Sequence, residues 1–242
     1  RSTAGATGLF QNLIVPWAAD RLAWSAPFRL DTFHCTTSSC TNLVFASNHL
    51  YVSSDGANSW TRAGTTDVTK GSGYTFALGL ALSNPAAAIV GTSDGNVELS
   101  TNLFTGANCT SAAANTSSFA CAPNKNATFT DTTGGNTVLP NRAILGVAFD
   151  PTTTDTIYAA VGGYNDSTPS TPGHLFQATR SGSTWTWVNK SGNLPDVQAD
   201  DVLVNPLNAK QVFVGTDFGF YYTDDVTANP PLWYRYAYGL PL

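Results

Sequence analysis

Residues 43–60 read LVFASNHLYVSSDGANSW. An apolar strand pattern, a short turn at Ser47-Asn48-His49, a second apolar strand, a polar turn at Ser53-Ser54-Asp55-Gly56 and an aromatic residue follow one another without a break. Alternation of this kind turns one face of each strand inward, and two such runs joined by turn residues make a β-hairpin. The same layout returns at residues 88–102 (AIVGTSDGNVELSTN), 157–185 (IYAAVGG…HLFQATRSGSTW) and 212–233 (VFVGTDFGFYYTDD…LW). A further strand closed by a turn precedes the later three, at residues 80–85 (LALSNP), 147–151 (VAFDP) and 202–206 (VLVNP). Leu139-Pro140, Leu194-Pro195 and Leu240-Pro241 follow the later units.

The spacing turns this layout into an architecture. Taking Asp55, Asn102, Arg180 and Asp224 as matching turn positions, the raw gaps are 47, 78 and 44 residues. The middle gap contains two insertions, of 22 and 11 residues, and without them the gaps become 47, 45 and 44. A four-stranded unit repeating every ~45 residues is the mark of a propeller blade. The expected fold is therefore all-β, a β-propeller of four-stranded antiparallel blades with about four present. Repeats are expected at 22–66, 67–140, 141–195 and 196–242, with residues 1–21 lending strands to a preceding blade. A propeller must close or expose the faces of its first and last blades. The final Gly239-Leu240-Pro241-Leu242 falls where earlier repeats begin a new blade. The expectation is an arc of a larger propeller, completed by its remainder or by another chain.

Composition narrows the function classes. The 242 residues hold 11 Lys+Arg and 16 Asp+Glu, a net charge of −5 with 11% charged residues, against roughly 25% in an average soluble protein. With 42% hydrophobic and 12% aromatic residues, a packed core is well supplied. No apolar run approaches the ~20 residues of a membrane span, and scattered cations on an acidic chain argue against nucleic acid as a partner. Cys35 and Cys40, and Cys109 and Cys121, lie as two local pairs 5 and 12 residues apart. Zinc sites favour two-residue spacers with histidine partners, so two loop-closing disulfides are expected, and with them a secreted, extracellular setting. Asn-x-Ser/Thr sequons fall at Asn108, Asn115, Asn126, Asn165 and Asn189.

The turn Ser53-Ser54-Asp55-Gly56-Ala57-Asn58-Ser59-Trp60 resembles the Asp-box, Ser/Thr-x-Asp-x-Gly-x-Thr/Ser-Trp, of the bacterial-neuraminidase-repeat propellers. That family takes in sialidases, sortilin-like receptor domains, oligoxyloglucan hydrolases and many secreted bacterial proteins. Ala57 stands where the family usually has Gly; the third copy keeps Gly182, Thr184 and Trp185 but has Arg180 in place of the acid. The second and fourth copies keep Asn102 with Phe129 and Asp224 with Trp233 across insertions. The resemblance implies a structural box. Its acid accepts backbone N–H groups of a tight turn, and its tryptophan folds over the hairpin. Ser53, Asp55, Ser59, Trp60, Asn102, Phe129, Gly182, Thr184, Trp185, Asp224 and Trp233 are assigned to it.

Insertions into a repeat scaffold are where function is usually placed. Residues 103–128 carry Cys109 and Cys121, and residues 162–173 (GGYNDSTPSTPG) carry Tyr164, Asn165 and Asp166, a candidate sugar-contacting set. Glycosidase chemistry needs a carboxylate pair, or in sialidases a tyrosine nucleophile, a glutamate and arginines. Glu98 is the lone glutamate, and the seven arginines form no set. Phe28-Arg29-Leu30-Asp31 resembles a sialidase Phe/Tyr-Arg-Ile-Pro motif without the proline, in the slot of a blade strand. Asp200-Asp201 and Asp224-Asp225 point to opposite faces if they lie on strands, a poor arrangement for a catalytic pair. They are the candidates for calcium with backbone carbonyls, and no other cofactor is expected. The expected function is a secreted non-catalytic propeller module for binding a glycan or protein, or for scaffolding. The alternatives are a sialidase- or xyloglucanase-like glycoside hydrolase whose catalytic residues lie partly outside this segment, and a surface protein that self-assembles through open blade edges.

Overall fold

The computed structural model describes residues 15–35, 40–104 and 127–236. Sixteen strands arise in four consecutive groups. The first group is β1 (Phe28–Leu30), β2 (Leu43–Ala46), β3 (Leu50–Ser53) and β4 (Thr61–Ala63), and the second is β5 (Thr75–Leu80), β6 (Ala88–Thr92), β7 (Val97–Ser100) and β8 (Thr130–Asp131). The third comprises β9 (Ile144–Asp150), β10 (Thr153–Val161), β11 (Leu175–Ser181) and β12 (Thr184–Asn189). The fourth comprises β13 (Ala199–Asn205), β14 (Asn208–Thr216), β15 (Gly219–Thr223) and β16 (Tyr234–Tyr236). Each group forms its own four-stranded sheet in which sequence neighbours pair antiparallel. Among the described residues no α-helix occurs, and no helix is long and apolar enough to cross a membrane. The fold is all-β, four propeller blades in an arc, as the periodicity predicts.

The blades stack face to face because their strands are apolar on both sides. Val44, Leu50 and Val52 of blade 1 meet Leu78, Ala88 and Val90 of blade 2. Ile89, Val97 and Leu99 on the other side of blade 2 meet Ile157, Ala159, Phe176 and Trp187 of blade 3. Tyr158, Ala160 and Leu175 of blade 3 then meet Val202, Val204, Val212 and Val214 of blade 4. Such two-sided burial explains why β6 and β7 are buried at every position, a pattern of continuous rather than alternating apolar residues.

The first strands of successive blades, β1, β5, β9 and β13, lie next to one another across the blades. They are the innermost strands and form the wall of the propeller axis. Their approach requires residues without side chains. A Cβ on Gly79 of β5 would come 3.0 Å from the carbonyl oxygen of Val147 in β9, and one on Gly146 of β9 would come 2.6 Å from Cα of Asp201 in β13. Two expectations need adjusting. Residues 81–85 form a turn, and the strand that precedes it is Thr75–Leu80 rather than a run starting at Leu80. Moreover, three of the four innermost strands are not regular. The register slips by one residue between Thr75 and Ala77, between Ile144 and Gly146, and between Ala199 and Asp201. A β-bulge therefore recurs at one place in blades 2, 3 and 4.

Candidate functional site

The bulge in β13 changes what the sequence implies for Asp200 and Asp201. On a regular strand adjacent side chains diverge, but a bulge sets an extra residue against one partner and re-aims its side chain. Asp200, Asp201 and Arg29 here line one cavity of about 130 Å³, together with Phe76, Leu145 and Gly146. The acids thus share the wall of the axis, against the expectation that they point apart. Nε2 of Gln198 donates to Oδ1 of Asp200 at 3.0 Å, and the amide of Val202 donates to Oδ1 of Asp201 at 2.9 Å. Burial pushes the Asp200 carboxyl above its ordinary pKa, with the neighbouring carboxylates Asp217 and Asp201 adding to the push and the Gln198 hydrogen bond opposing it.

Along the same axis the channel widens into an apolar cavity of about 440 Å³. Arg29, Leu80, Phe33, Phe149, Val202 and Asp201 are among its lining residues, drawn from all four blades. Aromatic and aliphatic walls with a few placed charges are typical of small-molecule and sugar sites. Beside it, the Cys35–Cys40 disulfide closes the turn after β1, and His34 bridges Asp31 and the carbonyl of Leu82 through its two ring nitrogens, 3.0 Å from each.

The turns assigned to the box lie at the outer edges of the blades. In blade 1, Oδ1 of Asp55 accepts Ser53 Oγ at 2.8 Å and the Ser59 amide at 2.9 Å, while Oδ2 accepts Ser59 Oγ at 2.6 Å. Burial opposes ionisation of Asp55, but these hydrogen bonds outweigh it and hold the carboxyl below its usual range. Ala57 adopts φ +68° after Gly56 at the same angle, the left-handed region that favours glycine. Trp60 is 4% exposed and meets Trp17 edge-on at 5.2 Å. In blade 2, Oδ1 of Asn102 accepts the Thr128 amide at 2.9 Å. Thr128 thus stands where Ser59 stands, on the far side of an insertion, and Phe129 packs on the blade 1–blade 2 core.

Blades 3 and 4 depart from that plan. Gly182, at φ +62°, and Ser183 make a two-residue hairpin turn between Ser181 and Thr184, and Trp185 lies within β12 with the Arg180 guanidinium 5.7 Å over its ring. In blade 4 the acid of the turn is Asp225, whose amide bonds Thr223 Oγ1 at 3.3 Å and whose Oδ1 accepts the Thr227 amide at 3.0 Å. Asp224, assigned to that part from sequence, instead accepts Nε2 of Gln211 at 2.8 Å. Spacing gives the reason: Ser53 to Asp55, Ser100 to Asn102 and Thr223 to Asp225 are each two apart. Trp233 is 3% exposed and donates to the Lys190 carbonyl at 3.0 Å.

Tyr164, Asn165 and Asp166 are not among the residues that line either cavity. Asn165–Ser167 is a single 3-10 turn, and Tyr164 is 50% exposed. The Asn165 amide donates to Asp196 at 2.9 Å, and its side-chain oxygen accepts the Gly173 amide at 2.6 Å. Beneath the loop, buried His174 pairs with Asp196 at 2.9 Å and buried Arg142 donates to the Gly173 carbonyl. Burial pulls the His174 pKa below its ordinary value, against the Asp196 hydrogen bond that raises it. Cys109 and Cys121 lie outside the described residues. Among the described residues no three His, Cys, Asp or Glu side chains converge as a metal-ligand set.

Glu98 is buried at 7% exposure on the blade 1 side of β7, away from the axis. It stands directly opposite Asp131 in the β7–β8 ladder. Nδ2 of Asn96 donates to Oε1 at 3.3 Å, and Oε2 has no partner among the described residues. Burial first, and Asp131 second, push its pKa up to about 7.

No family model matches the chain. A stretch of 95 residues is 33% identical to a xyloglucanase of Hypocrea jecorina (strain QM6a), covering 37% of this chain and 11% of that protein. Among solved structures, a GH74 enzyme of Niastella koreensis superposes with a TM-score of 0.53 at 19% identity, over 85% of this chain and 30% of the other. An ancestral GH74 enzyme gives 0.56 at 21%, over 95% and 26%. The GH74 xyloglucanase of Xanthomonas campestris gives 0.55 at 12%, over 86% and 30%. The chain spans under a third of each of these proteins. In fold, it is a section of a β-propeller.

Proposed function

We propose that the chain is an arc of an extracellular glycoside hydrolase propeller acting on a xyloglucan-like polysaccharide, with the axial channel as its contribution to the active site. One observation carries this reading: the β13 bulge brings Asp200 and Asp201 to the channel wall with Arg29. Glycoside hydrolysis uses two carboxyl groups, one holding a proton for the leaving oxygen and one ionised. Burial raises the Asp200 pKa above its ordinary value, the direction a general acid needs. The adjoining apolar cavity offers a wall for sugar ring faces, and the likeness to a xyloglucanase supports a xyloglucan-like substrate. The Cys35–Cys40 disulfide supports an oxidising, extracellular setting.

The test is release of reducing ends from xyloglucan by the intact protein and by Asp200→Asn and Asp201→Asn variants. Removing a general acid or base costs about 10²–10⁴ in rate, so at least one variant should lose activity on that scale. Cleavage unaffected by both substitutions would remove the channel from the chemistry. Xyloglucan binding without cleavage would instead establish the non-catalytic module.

A further inference from the structure

Two of the sequons fall among the described residues, and the structure treats their asparagines in opposite ways. Asn165-Asp166-Ser167 is the 3-10 turn of the loop between β10 and β11. Asn189-Lys190-Ser191 begins on the last residue of β12, where Asn189 faces Phe176 across the ladder. Attachment of a sugar needs the side-chain nitrogen of the asparagine and the hydroxyl two residues on, both within reach of the transferring enzyme.

At Asn165 the contacts come from the other atoms. Its side-chain oxygen accepts the Gly173 amide at 2.6 Å, and its backbone amide donates to Asp196 at 2.9 Å. The oxygen holds the plane of the side-chain amide, and Nδ2, on the other arm of that plane, donates to nothing among the described residues. Tyr164, Asp166 and Ser167 around it are exposed, and the Ser167 hydroxyl makes no hydrogen bond among the described residues.

At Asn189 the same atoms are all in use. Nδ2 donates to the Pro172 carbonyl at 2.7 Å, and Oδ1 accepts the Ser191 amide at 2.8 Å. Ser191 is buried, and its Oγ accepts the His174 amide at 2.7 Å and the Leu175 amide at 3.1 Å. There is no room for a substituent on that nitrogen, since even a Cβ on Gly173 would come 2.5 Å from it. A sugar on Asn189 would displace residues 172–173 and break the bond to Pro172.

We infer that Asn165 is an N-glycosylation site of the secreted chain and that Asn189, with the same motif, is bare in the folded protein. The donor is a lipid-pyrophosphate-linked oligosaccharide. Nδ2 of Asn165 forms a bond to the anomeric carbon, the bond from that carbon to the pyrophosphate oxygen breaks, and Nδ2 gives up one of its two protons. Tyr164 is then covered by the chain's own glycan. The inference needs a secretory route, which the Cys35–Cys40 disulfide supports, and is independent of the hydrolase reading.

The test is peptide mapping by mass spectrometry of the intact protein secreted and folded from a eukaryotic host. Peptide N-glycosidase in heavy-oxygen water marks each glycan-bearing asparagine as a labelled aspartate. Asn165 should carry the mark and Asn189 should not. Ser167→Ala removes the acceptor hydroxyl without touching the Asn165 contacts, so it should abolish the mark at 165 and leave the β-sheet circular dichroism spectrum unchanged. Asn165 recovered unmarked from the wild-type protein would overturn the inference. A marked Asn189 in the same folded fraction would overturn it equally, because the structure would then not discriminate between the two sites.

Discussion

Replacing Glu98 with Gln should stabilise the protein at alkaline pH and leave it unchanged at acid pH. The carboxyl is buried opposite Asp131, with Oε2 unpartnered among the described residues, and its pKa rises from 4.5 to about 7. In the unfolded chain Glu98 ionises near 4.5, while in the folded chain it keeps its proton until about pH 7. The folded state therefore binds the extra proton between those values, and stability contributed by Glu98 is present in full below 4.5 and is lost as pH rises through 7. Each pH unit in that interval is worth about 1.4 kcal/mol, so the loss is about 3 kcal/mol by pH 8. Gln has the shape of the protonated acid and accepts the same Asn96 hydrogen bond, but it never ionises. Thermal unfolding of wild type and Glu98→Gln at pH 4, 6 and 8 measures the difference directly. For a chain of this size about 1 kcal/mol moves Tm by ~2–4 °C, so the variant should melt about 6–12 °C higher at pH 8 and within about a degree at pH 4. An equal difference at every pH, or a variant less stable at pH 8, would refute the reasoning. Asp131→Asn should recover a smaller part of the same stability, because Asp131 is the lesser cause.

Three other substitutions probe the scaffold. Trp60→Ala removes a ring that is 4% exposed and should cost about 3–5 kcal/mol in denaturant unfolding, as large aromatic truncations do; a midpoint unchanged from wild type would contradict it. Asp225→Ala should lower Tm more than Asp224→Ala, because Asp225 accepts the Thr227 amide that closes the turn, and the reverse order would return the turn to Asp224. Gly146→Ala places a methyl group 2.6 Å from the Asp201 backbone, so blades 3 and 4 must separate at the axis. Overpacking of that kind costs about 1–3 kcal/mol, and a crystal structure with unshifted β9 and β13 would exclude the mechanism.

What the sequence showed was set by how local the cause was. Strand pairs such as 43–46 with 50–53 are hairpins, so alternation and turn residues a few positions apart describe them fully. The ~45-residue period then follows from counting. Asp55 and Ser59 were legible because donor and acceptor sit four residues apart in one turn. Asn102 finds Thr128 across an insertion, yet the box pattern still pointed to Phe129 beside it. Asp224 was misassigned by a single position, where only the two-residue spacing from Thr223 separates it from Asp225. Failure was greatest at the axis. A bulge leaves no mark in residue type, so Asp200 and Asp201 read as divergent. Aligning the innermost strands would have hinted at it, since Phe76, Leu145 and Asp200 take the same extra place. Arg29 belongs to blade 1 and Asp201 to blade 4, about 170 residues away, and only ring geometry brings them to one cavity.

The most direct test of the account is a crystal structure of the intact protein, with Asp200 and Asp201 both changed to Asn, soaked in a xyloglucan oligosaccharide. The account predicts a sugar ring in the axial channel, within hydrogen-bond reach of positions 200 and 201 and against the apolar wall below Arg29. An oligosaccharide seated elsewhere, on the Tyr164 loop, with an empty axis, would contradict it.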